Sequence, residues 1–381
     1  MKKLLKRFGR INYREKEARI RKTVLRRSPV IHHYCPHTFN AGDHFVTLSI
    51  RKHLRKCLPD AVFIPKSIAV NRGWGAPHRL RGENIAFSNR YADAVIVGGS
   101  DNYRNWSLRI DGREIQKLQP PLFLVGLGIS SNDLDEPPLI ENKKYLEDIR
   151  KTHEKTRIST VRDEATLTFL EQLGVTGVIL TGCPALYLGE ASEIRLKESG
   201  KIILTFPFPV NRVRLSERYR LLEQTMQELI QHYGADLIII SCHDDRDVPA
   251  ASERFPGQQI FFSNDAWEYL ELVQQAVFVA GSRLHASILA AGLGIPFLNI
   301  NVDIRGQSFS RTFGLKSWNL DYTEPDLTAR IIQRIDTVMS GDLSAYHSFL
   351  KLKSQYSKSY DHAIRSIAEI IQKETGYPVK Q

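Results

Sequence analysis

Short unbroken apolar runs alternate with amphipathic stretches along most of this chain. SPVIHHYCP predicts a strand, and GDHFVTLSIRKHLRKCL a helix entered through a Gly-Asp turn. ADAVIVGGS and PPLFLVGLGISS predict two more buried strands, each running into glycine and serine. RISTVRDEATLTFLEQLG is a strand leading into a helix that ends at Gly174, and TGVILTGCPALYL closes the series. The pattern restarts at Gly200. KIILTFPFP is a strand, SERYRLLEQTMQELIQHYG an amphipathic helix and ADLIIISCHDD a strand. QQIFFS precedes the helix WEYLELVQQ, then come the strand VFVAGS, a helix of small residues and the strand IPFLNIN.

Apolar strands alternating with helices imply parallel sheets covered on both faces. Between the two series GEASEIRLKESGK is polar and has no apolar period. The division expected is therefore a segment 1–27, a domain 28–190, a domain 191–345 and terminal helices 346–381 that return across the domains. Two doubly wound domains then face a cleft, and their ligands belong at the carboxyl ends of the strands.

Of the 381 residues 42% are hydrophobic, enough for two cored domains. The net charge of +11 suggests nucleic acid until it is located. Residues 1–27 hold twelve Lys/Arg against Glu15 and Glu17, so the rest of the chain is close to neutral. That basic tail fits either a solvated arm or a peripheral contact with anionic lipid, and specific nucleic-acid binding is not expected. Cys35, Cys57, Cys183 and Cys242 form no C-x-x-C pair, which fits a reducing cytoplasm rather than a disulfide scaffold. No stretch has the roughly 20 apolar residues of a membrane span, and no signal-peptide core precedes the domains.

Four strand ends carry candidate chemistry. NAGDHF puts Asn40, Gly42 and Asp43 at a helix entrance, where an aspartate serves as cap or as ligand group. In VGGSDNY, Gly98 and Gly99 allow backbone to approach a ligand, although turns use the same pair. STVRDEAT sets Arg162 at a strand end and Asp163 at the next helix start. In AGSRLHAS, Ser282 is the expected cap, with Arg283 and His285 in the first helical turn. A cation there opposes the helix dipole unless an anion fills the site; a histidine there is otherwise a core residue. Arg305, Arg311 and Lys316 follow a later strand, and converging guanidiniums suit a phosphate and a carboxylate. In CHDDRD, His243, Asp244, Asp245 and Asp247 could accept sugar hydroxyls, hold a cation or form a plain turn. HHYCPH offers His32, His33, Cys35 and His37, but strand alternation sends them to opposite faces and no metal is expected.

Dinucleotide, P-loop, serine-hydrolase and H-E-x-x-H motifs are absent. Taken in order, NAGDHF, ADAVIVGGS, VGLGISS, VRDEATLTFLEQLGV, TGCPALYL and SRLHASILAAGLGIPFLNINVDIRG resemble the polysaccharide pyruvyl transferase family. The resemblance implies two Rossmann-like domains of the glycosyltransferase-B type. It implies transfer of the carboxyethylidene group of phosphoenolpyruvate onto a sugar of a polysaccharide or its lipid-linked precursor, without a cofactor. Carried over by motif, Arg162 and Arg283 bind the donor, with Arg305 where many relatives have lysine. His285 is then the expected acid and Asp43 the expected base. A nucleotide-sugar glycosyltransferase and a non-catalytic carbohydrate-binding protein are the competing expectations.

Overall fold

The computed structural model describes residues 28–35, 41–67, 80–99, 103, 110–129, 142–205, 216–245, 247–315, 318 and 320–377. The basic segment 1–27, Asn40, His37 and Lys316 lie outside them.

The first sheet contains β1 (Val30–Cys35), β2 (Val62–Ser67), β3 (Ala94–Gly98), β4 (Leu122–Leu127), β5 (Thr156–Val161) and β6 (Val178–Leu180). Its helices are α1 (Ala41–Cys57), α2 (Glu83–Tyr91), α3 (Lys143–Lys155) and α4 (Glu164–Gln172). The second contains β7 (Lys201–Thr205), β8 (Ile238–Ser241), β9 (Ile260–Phe261), β10 (Ala276–Gly281), β11 (Phe297–Asn301) and β12 (Leu320–Asp321). Around it lie α5 (Ser216–Tyr233), α6 (Asp247–Arg254), α7 (Ala266–Gln274), α8 (Leu284–Leu293), α9 (Ile304–Thr312) and α10 (Leu327–Met339). The chain then enters α11 (His347–Thr375).

The strand orders are β2-β1-β3-β4-β5-β6 and β12-β11-β10-β7-β8-β9. Every pairing is parallel, as in β1 with β3 and β10 with β7. β1, β3, β4 and β10 are buried along their whole length, and β3, β4 and β10 accordingly read as continuous apolar runs. In each sheet the direction of winding reverses once, between β1 and β3 and between β7 and β10, and ligands of such sheets bind beside that reversal. The motifs NAGDHF and SRLHAS follow β1 and β10.

Among the contacts that join the halves, three stand out. The turn Pro184–Tyr187 packs on α1 and α8, with Ser49 Oγ donating to the Pro184 carbonyl at 2.5 Å. The small residues of α8 make this possible, since a Cβ on Gly292 would lie 2.7 Å from the Leu186 carbonyl oxygen. At a second point the first amides of α4, Glu164 N and Ala165 N, donate to Thr312 Oγ1 and Ser308 Oγ of α9 at 3.0 and 3.2 Å. The third is α11, which stacks Tyr360 on Tyr187 and lowers Lys353 onto the carbonyls of Ala191 and Ala291 at 2.7 and 2.8 Å. No helix among the described residues is long and apolar enough to cross a membrane.

Candidate active site

β10 leaves its sheet through Gly281, whose φ of 150° and 2.1 Å from a built Cβ to the Thr205 carbonyl oxygen exclude a side chain. That carbonyl, at the end of β7, then accepts from both Ser282 N (2.9 Å) and Arg283 N (3.2 Å). Anchoring two successive amides delays the helix by one residue. Arg283, in an extended conformation, is therefore the N-cap of α8 in place of the expected Ser282, and His285 lies in the first turn. Ser282 Oγ is buried and makes no hydrogen bond.

A cation at a helix start needs compensation, and it comes from the helix that follows β8, two strands away in the sheet. Asp247, which opens α6 and is almost fully buried, forms an ion pair with Arg283 Nη2. Arg283 Nε makes no hydrogen bond. The guanidinium thus keeps a donor for another partner. Beside the pair, burial and the nearby Asp247 carboxylate push the Cys242 thiol up to about 12, which makes it inert as a nucleophile. His243 is buried with its ring edge-on to Tyr269, 4.8 Å between centroids. Burial holds its pKa well below the ordinary histidine value, and the neighbouring Arg283 and His285 lower it further. His243 is accordingly neutral. Of the residues expected at an acceptor, His243 and Asp244 are buried and only Asp245 is exposed. His243 belongs to the same wall as Arg283.

The first sheet contributes the start of α1. Ala41 N donates to the His243 carbonyl at 3.3 Å, so the two halves meet at this point. A Cβ built on Gly42 would lie 2.2 Å from His285 Nδ1 and 2.6 Å from its Cγ. The imidazole therefore rests directly on the Gly42 backbone. Asp43 follows, nearly buried in the positive first turn of α1, where a carboxylate is favoured. Gly42–Asp43, His243, Arg283 and His285, drawn from distant parts of the chain, form one cluster.

The other candidates sit apart from that contact. Arg162 leaves β5 with its guanidinium over Gly128, where a Cβ would lie 2.1 Å from Nε. It is 4% exposed, pairs with Asp163 at 3.1 Å and donates to the Ile129 carbonyl at 3.3 Å. Asp163 also caps α4 by accepting from Thr166 N at 2.9 Å. Arg305 folds back onto Asp303, the cap of its own helix, with Nε 3.1 and 3.0 Å from the two oxygens. Each expected donor arginine thus carries an aspartate partner. Two of these carboxylates, Asp163 and Asp303, are sequence neighbours; Asp247 is not, and nothing local in CHDDRD links it to Arg283.

Gly98 and Gly99, expected where backbone approaches a ligand, also have a packing role. A Cβ on Gly98 would meet His33 Nε2 at 2.6 Å, and one on Gly99 would meet Val46 Cγ1 at 2.2 Å. They let α1 and His33 pack onto the end of β3. His32 turns to the opposite face, bonding Ser88 at 3.0 Å and stacking on Phe87, while His33 accepts from Arg51 Nε at 3.2 Å. Among the described residues no group of three His, Cys, Asp or Glu could hold a metal ion.

The family described as polysaccharide pyruvyl transferase matches residues 40–304, which include Gly42, Asp43, Gly98, Gly99, Arg162, His243, Arg283 and His285 but not Arg305. No curated protein matches the chain. Among solved structures, the Neisseria meningitidis UDP-GlcNAc 2-epimerase bound to UDP-GlcNAc is 13% identical with a TM-score of 0.57, covering 91% of this chain and 100% of that one. The Methanocaldococcus jannaschii UDP-GlcNAc 2-epimerase in complex with UDP-GlcNAc and UDP is 14% identical, TM-score 0.56, with 91% and 99% covered. A wall teichoic acid polymerase is 12% identical, TM-score 0.52, with 98% and 97% covered. At these identities the likeness is one of fold, two Rossmann-like domains in the glycosyltransferase-B arrangement.

Proposed function

The chain belongs to the polysaccharide pyruvyl transferase family, and on that premise we propose that it forms a cyclic ketal from phosphoenolpyruvate and two hydroxyls of a saccharide, releasing phosphate. A proton added to the methylene carbon of the donor makes the methyl group and an oxocarbenium-like centre. One sugar hydroxyl attacks that centre and loses its proton. The second hydroxyl then displaces phosphate, its proton leaving with the phosphate, so that no oxidant, reductant or cofactor is needed.

The contact of the His285 ring with the Gly42 backbone carries this proposal. It joins the two motifs that the chemistry needs, one for the donor and one for the hydroxyl. His285 would deliver the proton, an imidazolium beside an anionic substrate being suited to general-acid work near neutral pH. Asp43 would take the proton of the attacking hydroxyl. Phosphoenolpyruvate carries a phosphate and a carboxylate, and Arg283, Arg162 and Arg305 would bind them through charge-assisted hydrogen bonds. Their aspartate partners keep these cations compensated when the donor is absent. The acceptor would be a polysaccharide or its lipid-linked precursor. The basic segment 1–27 would bring the enzyme to an anionic cytoplasmic membrane face.

Two experiments test the proposal. His285→Ala should lower turnover by about 10²–10⁴-fold, as expected for a general acid, while phosphoenolpyruvate still binds; turnover near wild type would remove His285 from the mechanism. In thermal melts phosphoenolpyruvate should raise the transition and UDP should not. The reverse would indicate a nucleotide-sugar glycosyltransferase, since the fold is shared with structures solved in complex with UDP-sugars.

A further inference from the structure

Trp267 is 58% exposed, and only it and Met339 are exposed large hydrophobic side chains among the described residues. It stands on the first turn of α7, whose other face is buried. There Tyr269 packs on Phe45 of α1 at 5.5 Å and on the edge of His243 at 4.8 Å. Trp267 is therefore carried by the same helix that backs the His243–Arg283 wall, yet it points the opposite way, into solvent.

An open hollow of about 470 Å³ lies in front of it, lined by His44 and Leu48 of α1 and by Asn264, Asp265, Ala266 and Trp267. At about 1.5 Å of rise per residue, His44 and Leu48 stand roughly 3 and 9 Å along the helix axis from Gly42. Round the helix they are about 200° and 240° from Gly42, so the hollow opens on the face of α1 away from the backbone that supports the His285 ring. Its composition is one flat aromatic face, one aliphatic floor and three side chains able to bond hydroxyls. Asp265 is held in place at the rim, its Oδ1 accepting from Trp267 N at 2.8 Å and its own N donating to Ser263 Oγ at 2.9 Å. A nucleotide phosphate would find no arginine or lysine among these lining residues. A pyranose ring matches them, because its C–H face is apolar and its rim is all hydroxyl.

We propose that this hollow is an outlying saccharide subsite, in which a pyranose ring of an extended acceptor stacks on Trp267 while a sugar further along the same chain reaches Asp43 and His285. That the ligand is an acceptor rests on the pyruvyl-transfer proposal above; that the hollow binds a pyranose does not.

The full-length protein is titrated, without phosphoenolpyruvate, with the methyl pyranosides of galactose, glucose and mannose by ligand-observed NMR. Wild type is compared with Trp267→Phe and Trp267→Ala. At least one pyranoside should bind wild type, Trp267→Phe should stay within about threefold, and Trp267→Ala should weaken binding by about tenfold or more. Phosphoenolpyruvate affinity should be the same in all three proteins. Absence of binding by every pyranoside, equal binding by Trp267→Ala, or a shared loss of phosphoenolpyruvate affinity overturns the subsite. So does a change in oligomeric state on size exclusion, which would make Trp267 a protein contact. If saccharide binding depends on Trp267 but phosphoenolpyruvate neither binds nor reacts, the subsite stands and the donor assignment falls.

Discussion

Gly42→Ala separates catalysis from stability in a single atom. Ala is the better helix former, by up to about 1 kcal/mol in a helix interior and less in the first turn where residue 42 lies, so the backbone does not oppose the change. The new Cβ would lie 2.2 Å from His285 Nδ1, whereas ordinary van der Waals contact begins at 3.4 Å. The imidazole must therefore retreat by about 1.2 Å. It cannot be relieved cheaply, because α1 is held from behind by the bond of Ala41 N to the His243 carbonyl. Misplacing a reacting group by about 1 Å costs on the order of 10²-fold in rate. The expected outcome is turnover down about 100-fold, read as phosphate released from phosphoenolpyruvate in the presence of acceptor, with the melting temperature within a few degrees of wild type. Phosphoenolpyruvate affinity should change far less than turnover. A variant turning over within threefold of wild type would refute the claim that Gly42 positions His285.

Asp247→Asn removes the charge that competes with a donor anion for Arg283. It should tighten phosphoenolpyruvate severalfold by calorimetry while lowering the melting temperature, and weaker binding would contradict the competition. Gly128→Ala would place a Cβ 2.1 Å from Arg162 Nε and expel the guanidinium from its cradle, so KM for phosphoenolpyruvate should rise more than kcat falls. An unchanged KM would take Arg162 out of donor binding. Burial pulls the Lys353 ammonium from 10.5 down to about 8. Between those values the unfolded chain binds more protons than the folded one, so stability attributable to Lys353 rises with pH across that window. Denaturant unfolding should show wild type gaining on Lys353→Met by on the order of 2 kcal/mol from pH 8 to 10.5, and parallel pH profiles would refute it.

The strands that flank the site were legible because their burial on both faces leaves an unbroken apolar run, as in AVIVG and AVFVAG. What escaped was decided by distant partners. β2 contains Pro65, tolerable because β2 is the sheet edge, a position that its own residues do not announce. α9 is polar in sequence yet buried, because its Ser308 and Thr312 hydroxyls satisfy the first amides of α4 from the other half of the chain. In the site, the residue types and strand ends of Arg162, Arg283 and His285 were visible. Their surroundings were not: the Asp247 partner lies 36 residues from Arg283, and the role of Gly42 exists only once α1 meets α8. The packing of Gly98 and Gly99 against His33 and Val46 was equally hidden, since a glycine pair at a strand end looks the same whether a ligand or a helix approaches it.

Titration calorimetry of phosphoenolpyruvate against wild type, Arg283→Ala and His285→Ala tests the account most directly, because it needs no acceptor. Wild type should bind, Arg283→Ala should bind at least about tenfold more weakly through loss of a charge-assisted contact, and His285→Ala should stay within about threefold. Absence of phosphoenolpyruvate binding by wild type, or equal binding by Arg283→Ala, would contradict the assignment of this site to a pyruvyl donor.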